Sequence, residues 1–255
     1  MNPTLKYLPS VLLLFIAQAG SAQNSNESFY AFKADWSPAS SIEQCTYFMQ
    51  EIKKSDSEYV CRYYQKMGPM IKQEVYKDAA LSIPNGLFCW YNKKGKMDSC
   101  GWVANFKKDR YWYYFLGDST KYTYYEKYDN GKLLKKETFQ QAVSDTTGGH
   151  EVAVTQKEAV FKKGANDWTN YISKNLKVPD RFTSIVGRGK YTVTVCFTIS
   201  TEGKTQDVYL FNSLEWSADA VIFDLIEQSP HWQPALQNGE PVKYVQKQNL
   251  VMVIN

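Results

Sequence analysis

The segment Tyr191-Thr192-Val193-Thr194-Val195-Cys196-Phe197-Thr198-Ile199 constrains this chain more than any other. Apolar and polar side chains alternate there with period two, which predicts a β-strand with one buried face. Thr201-Glu202-Gly203-Lys204 then predicts a turn, and Val208-Tyr209-Leu210-Phe211 a second strand. Ala218, Val221, Ile222, Leu225 and Ile226 share one side of an amphipathic helix. A corner at Pro230-His231-Trp232-Gln233-Pro234-Ala235 and a turn at Asn238-Gly239 precede a third strand candidate, Leu250–Ile254. Upstream, Trp168, Tyr171, Ile172 and Leu176 line one face of a helix over Asn166 to Leu176, with Asn166 as N-cap and Pro179 blocking continuation. The expected fold of residues 158–255 is α+β, two helices against a three-stranded antiparallel sheet.

The preceding sequence has a different texture. Trp90-Tyr91 stands before Gly95-Lys96, and Trp112-Tyr113, 22 residues on, stands before Gly117. Tyr63-Tyr64 before Gly68 and Tyr128 before Gly131-Lys132 repeat the theme. An aromatic strand, a glycine where the turn needs positive φ, and a second strand make a β-hairpin. Several hairpins side by side bury a row of rings that one could not. Residues 23–139 are therefore expected to form an all-β hairpin-repeat domain. Within it, Ile42, Cys45, Phe48, Met49 and Ile52 recur near helical spacing and suggest a short helix over Ser41 to Lys54, although Thr46-Tyr47-Phe48 would suit a strand equally. Residues 140–157 are poor in large apolar side chains and read as a linker.

The first residues bear on destination. Lys6, the apolar run Leu8 to Ala19 and the small residues Gly20-Ser21-Ala22 have the layout of a secretory signal over residues 1–22. The mature chain is expected to be soluble and exported. Five cysteines suit an oxidising compartment but leave one unpaired. Cys89 and Cys100 flank the turn at Asn92 to Gly95 and form the candidate disulfide; Cys45 with Cys61 is a weaker pairing, and Cys196 reads as a packed free thiol. With two histidines, His150 in the linker and His231 in a structural corner, no metal site and no nucleophile–base pair suggests itself. No cofactor and no enzymatic activity are expected. The net charge of +4 comes from lysines interspersed with acids, which argues against nucleic acid as a partner.

Two resemblances add to this reading. The aromatic hairpins over residues 59–137 resemble MORN-like repeats in degenerate form. The run from Asn175-Leu176 and Pro179, through the Val/Phe strand, Glu202-Gly203, Asn212-Ser213 and the Ala218–Ile226 helix, to Pro230-x-Trp232-x-Pro234-Ala235 and Asn238-Gly239-x-Pro241-Val242, resembles the TonB C-terminal domain over residues 161–255. That resemblance implies a protein partner, the TonB-box segment of an outer-membrane transporter, added as a strand beside Lys243, Tyr244, Val245, Gln246, Lys247, Gln248 and Asn249. A homodimer through the same edge is a further expectation, and the resemblance implies the periplasm as the location. Trp232, Pro234, Gly239 and Pro241 are expected to define the fold. The sequence lacks the Pro-rich span of an energy transducer, so a binding or adaptor role leads. A membrane-anchored transducer and an envelope structural protein whose aromatic repeats bind glycan or peptidoglycan are the alternatives.

Overall fold

The computed structural model describes residues 26–117, 121–138, 157–162 and 164–255. The expected signal, His150 and nearly all of the expected linker lie outside the described residues. Nine strands form an antiparallel meander in chain order: β1 (Glu27–Phe32), β2 (Tyr47–Ser55), β3 (Glu58–Gln65), β4 (Met70–Tyr76), β5 (Asn85–Tyr91), β6 (Met97–Ala104), β7 (Lys107–Tyr114), β8 (Tyr124–Asp129) and β9 (Lys132–Thr138). The turn between β5 and β6 is locally encoded. Asn92 Oδ1 accepts from the Lys94 and Lys96 amides, and Gly95 takes φ 74°. The expected helix over Ser41 to Lys54 is absent; β2 occupies its second half, because Phe48 and Met49 face opposite sides of a sheet with rings on both.

A second sheet has the order β12 (Thr205–Leu210), β11 (Gly189–Ile199), β16 (Tyr244–Ile254). Around it lie helices α1 (Ala165–Asn175), α2 (Asp180–Ile185) and α3 (Trp216–Glu227), and the short pairs β10 (Val160–Phe161) with β13 (Trp232–Gln233) and β14 (Ala235–Gln237) with β15 (Glu240–Val242). The hairpin between β14 and β15 turns at Asn238 and Gly239, with φ of 52° and 84°, the positive pair that a two-residue turn needs.

The α+β expectation of a two-helix, three-stranded C-terminal domain is overturned. The described chain is mostly β, dominated by the nine-stranded sheet, and has three helices. Pro179 does not merely end α1; it caps α2, whose Phe182 packs edge-on against Tyr191. β11 is not a strand with one buried face either. Thr194, Val195, Cys196 and Phe197 are all buried. Thr194 tolerates burial because its amide donates to Asn212 Oδ1 and its hydroxyl to Asn249 Oδ1.

What lies against the second face of β11 explains this. One apolar cluster contains Tyr64, Met70, Cys89, Tyr91, Met97 and Cys100 of the large sheet together with Val193, Phe197, Leu210 and Ile222. Polar contacts fix the seam. Ser213 donates its amide to the Gly95 carbonyl at 2.8 Å, and its hydroxyl accepts from the Met70 amide at 2.7 Å. The Met97 amide donates to Phe211 O at 2.9 Å, and Tyr91 Oη to Leu210 O at 2.8 Å. Arg62, 3% exposed, donates to Gln73 Oε1 and Glu227 Oε1 and lies 3.3 Å from the centroid of the Phe223 ring. The two sheets share one core.

Candidate partner-binding edge strand

β16 is paired with β11 over eleven residues, from Tyr244↔Ile199 to Ile254↔Gly189. Among the described residues no strand pairs with its other side. An edge of this kind presents a row of backbone donors and acceptors to whatever can match them. The sheet's twofold periodicity divides its side chains cleanly. Tyr244, Gln246, Gln248, Leu250, Met252 and Ile254 are wholly or partly covered, while Val245, Lys247, Asn249, Val251 and Val253 are exposed.

Lys243 lies one residue before β16, in the connection from β15; Tyr244 to Asn249 lie within the strand. Gln248 Oε1 accepts from Trp168 Nε1 at 3.4 Å, which places α1 against the covered face. Lys247 holds its ammonium 4.3 Å from the Phe211 ring centroid. Burial pushes the Tyr244 phenol up, and Glu158 adds to the shift, so that hydroxyl stays neutral. In the second half of this strand Leu250 and Met252 are buried, whereas Val251 and Val253 remain 46% and 48% exposed because they point to the other face.

The residues expected to define the fold are close by. Trp232 is 6% exposed, with its ring 5.0 Å from Trp168, 5.2 Å from Phe161 and 5.6 Å from Phe197. Its amide donates to Gly203 O, and a Cβ on Gly203 would lie 2.0 Å from Trp232 O, so the turn before β12 closes on this corner. Pro234 separates β13 from β14, Gly239 makes the β14–β15 turn, and Pro241 lies in β15 opposite Leu236. Cys89 and Cys100 are directly opposite each other on β5 and β6, both buried, as free thiols. Burial pushes the Cys89 thiol far up, and its hydrogen bond with Cys100 adds to this. Cys196 is a third buried thiol, pushed up to about 11 by burial.

Sequence reasoning missed the buried carboxylates. Asp219, fully buried in the first turn of α3, accepts from the Leu214 amide and the Ser213 hydroxyl; burial raises its pKa to about 7. Glu215 caps α3 by accepting from the Ser217 amide and pairs with Arg181 at 2.7 Å. On the large sheet, Glu126 accepts from Tyr114 at 2.7 Å, Tyr128 at 2.9 Å and Lys136 at 3.0 Å. Desolvation works against ionisation of Glu126, yet those hydrogen bonds hold its carboxyl below the usual range. The one sequence signal for this was the Tyr-x-Glu-x-Tyr spacing of Tyr124, Glu126 and Tyr128, whose side chains share a face of β8. Among the described residues no group of three His, Cys, Asp or Glu could hold a metal ion. None of their helices is long and apolar enough to cross a membrane. No protein-family model, curated protein or solved structure matches the chain.

Proposed function

We propose that the chain is an exported binding or adaptor protein that takes an extended segment of an envelope protein, such as an outer-membrane transporter, as an added strand along β16. The observation that carries this reading is the eleven-residue strand that, among the described residues, is paired on one side only, held by a sheet whose central strand is buried on both faces. The resemblance of residues 161–255 to the TonB C-terminal domain supplies the class of partner. In strand addition the backbone provides affinity and the alternate side chains provide selection. Here the exposed series Val245, Lys247, Asn249, Val251, Val253 would meet one face of the guest. That favours a guest with apolar residues at alternate positions and an acid near Lys247.

Titration of the full chain with N-terminal peptides of outer-membrane transporters, read by amide shifts of β16, tests the proposal. A dissociation constant below about 1 mM is expected, corresponding to about −4 kcal/mol. The same peptides N-methylated at every second residue should lose binding, because they cannot complete the ladder. Binding that survives N-methylation, or shifts confined to residues away from β16, would refute it.

A further inference from the structure

The nine-stranded sheet holds a matched pair of thiols that a docking edge on β16 does not use. Of the five cysteines, only Cys89 and Cys100 stand opposite one another in a strand ladder, on β5 and β6. Opposite residues of an antiparallel pair have Cα atoms about 4.5–5.5 Å apart, inside the span of about 4.4–6.8 Å that a disulfide bridges. The two thiols already share a hydrogen bond. The other three cysteines are placed differently. Cys61 is opposite Glu51, and Cys45 lies beyond Tyr47, whose partner Gln65 is four ladder positions, about 13 Å, from Cys61. Cys196 is opposite Tyr209 and Lys247, and its thiol shares a hydrogen bond with the Tyr209 hydroxyl.

The pair sits where the two sheets meet. Cys89 and Cys100 are buried in the cluster that joins Tyr91 and Met97 to Phe197 and Leu210. Tyr209 of β12 lies against them: burial and the thiols of Cys100, Cys196 and Cys89 push its phenol far up. Tyr91, two residues from Cys89, is tied by its hydroxyl to Leu210 O. The sheet β12-β11-β16 therefore covers the two sulfurs. Before it docks, this face of β5 and β6 is open to water, and both strands lie ahead of β11 in the chain, so their sheet is made first. After docking, thiol exchange is blocked twice. Burial keeps reagents from the sulfurs, and the Cys89 thiol, pushed far up, supplies almost no thiolate, the form that attacks a disulfide.

We propose that Cys89 and Cys100 form a dithiol–disulfide site that a disulfide oxidant sets before the second sheet docks, and that docking seals in the state then reached. One cysteine, as thiolate, attacks the oxidant's disulfide and releases its first thiol. The other, as thiolate, then attacks the mixed disulfide and releases the second. Two electrons pass to the oxidant, one S–S bond forms for the one that breaks, and the two cysteine protons end on the released thiols. The chain with five free thiols is the reduced form. The core of the folded chain thus records whether it folded under oxidising conditions. This site is independent of strand addition on β16, and either reading can fail without the other.

Refolding of the full chain from urea and reductant tests this, once into a buffer of oxidised and reduced glutathione and once into dithiothreitol, with linkages read by peptide mass mapping. The glutathione sample should carry the Cys89–Cys100 bond as its main linkage, with Cys45, Cys61 and Cys196 as thiols, and C196S should give the same bond. Its melting temperature should exceed that of the reduced sample by about 5–10 °C, the effect of a cross-link that closes a short loop in a chain of this size. Exchanging the two buffers on the folded samples reads the seal. Oxidation of the reduced chain and reduction of the oxidised one should each be about a hundredfold or more slower than in urea, because both need the sheets to part. A main bond through Cys45, Cys61 or Cys196, no bond at all, an oxidised chain without a cooperative melt, or exchange as fast in the folded chain as in urea would each overturn the proposal.

Discussion

Replacing Asp219 by Asn tests the electrostatics of the seam between the two sheets. The carboxyl is fully buried, and burial raises its pKa from 3.8 to about 7; Glu215 pushes the same way, whereas the Ser213 hydroxyl, the Leu214 amide and Arg62 oppose it. The shift of about 3 units corresponds to about 4 kcal/mol. Because the folded pKa is the raised one, this contribution is fully present below about pH 4 and declines as pH rises, since the unfolded chain then releases a proton that the folded chain keeps. It is gone above about pH 7. The side-chain amide of D219N has no titrating proton, so the variant lacks this decline. That amide can still accept from Leu214 and donate to Ser213 Oγ. The stability of D219N relative to the parent should therefore improve by about 3 kcal/mol between pH 4.5 and pH 8. Urea unfolding of both proteins across that range measures it. The other carboxyls shifted by burial, Glu58, Asp207 and Asp224, titrate in both proteins and cancel in the difference. A difference that does not change with pH would show that Asp219 titrates alike in the folded and unfolded chain, and the account of the seam would fail.

Gly95→Ala should destabilise by about 3 kcal/mol or more, because its Cβ would lie 2.3 Å from Ser213 O and 2.5 Å from Pro69 Cβ at a φ of 74°. Gly117→Ala, also at positive φ but with nothing within 4 Å, should cost about 1 kcal/mol, and thermal melts of the two variants give the comparison. Arg62→Met removes the contacts to Gln73, Glu227 and the Phe223 ring, and about 2–4 kcal/mol should be lost in denaturant titration. Cys89 and Cys196 should resist alkylation in the native state even at pH 8.5, where an exposed thiol is half ionised, and react promptly in urea; mass spectrometry of trapped protein reads this, and native labelling would contradict their burial.

Local chemistry was legible in the sequence wherever a turn or a periodic face decides the element. Asn92 to Gly95, Asn238-Gly239 and the apolar side of α3 are of this kind. The α1 boundary was read within a residue, but its cap was not: Gly164 stands at the N-cap position with no side-chain bond, where Asn166 was expected. The larger error concerned what β11 packs against. Alternation of Val and Phe with Thr and Cys looks the same whether the second face meets water or another sheet, because Thr and Cys are at home in both settings. Only the long-range pairing of Asn212 with Thr192 and Thr194, and of Ser213 with Gly95 and Met70, distinguishes the two, and those partners lie 18 to 143 residues apart. The edge position of β16 was expected from resemblance. Its exposed Val251 and Val253 were hidden inside Leu250–Ile254, a run that reads as uniformly apolar, and Val245 among polar neighbours.

The shared core bears directly on how β16 would work as a docking edge. A free strand edge binds well when it is already held in its bound shape, since ordering a flexible strand on binding would cost part of the interaction energy. Three strands alone make a small sheet, and an edge strand in it would be held by one neighbour and a helix. Here that neighbour, β11, has helices over Val193, Val195, Phe197 and Ile199 on one side and the nine-stranded sheet on the other. Thr194, at the centre of β11, ties Asn249 of β16 to Asn212 beyond β12, so hydrogen bonds run across the sheet as well as along its ladders. The large sheet thereby stiffens an edge that it does not form. Weakening the seam at Arg62 or Gly95 should loosen β16 as well as lower stability, although neither residue touches that strand.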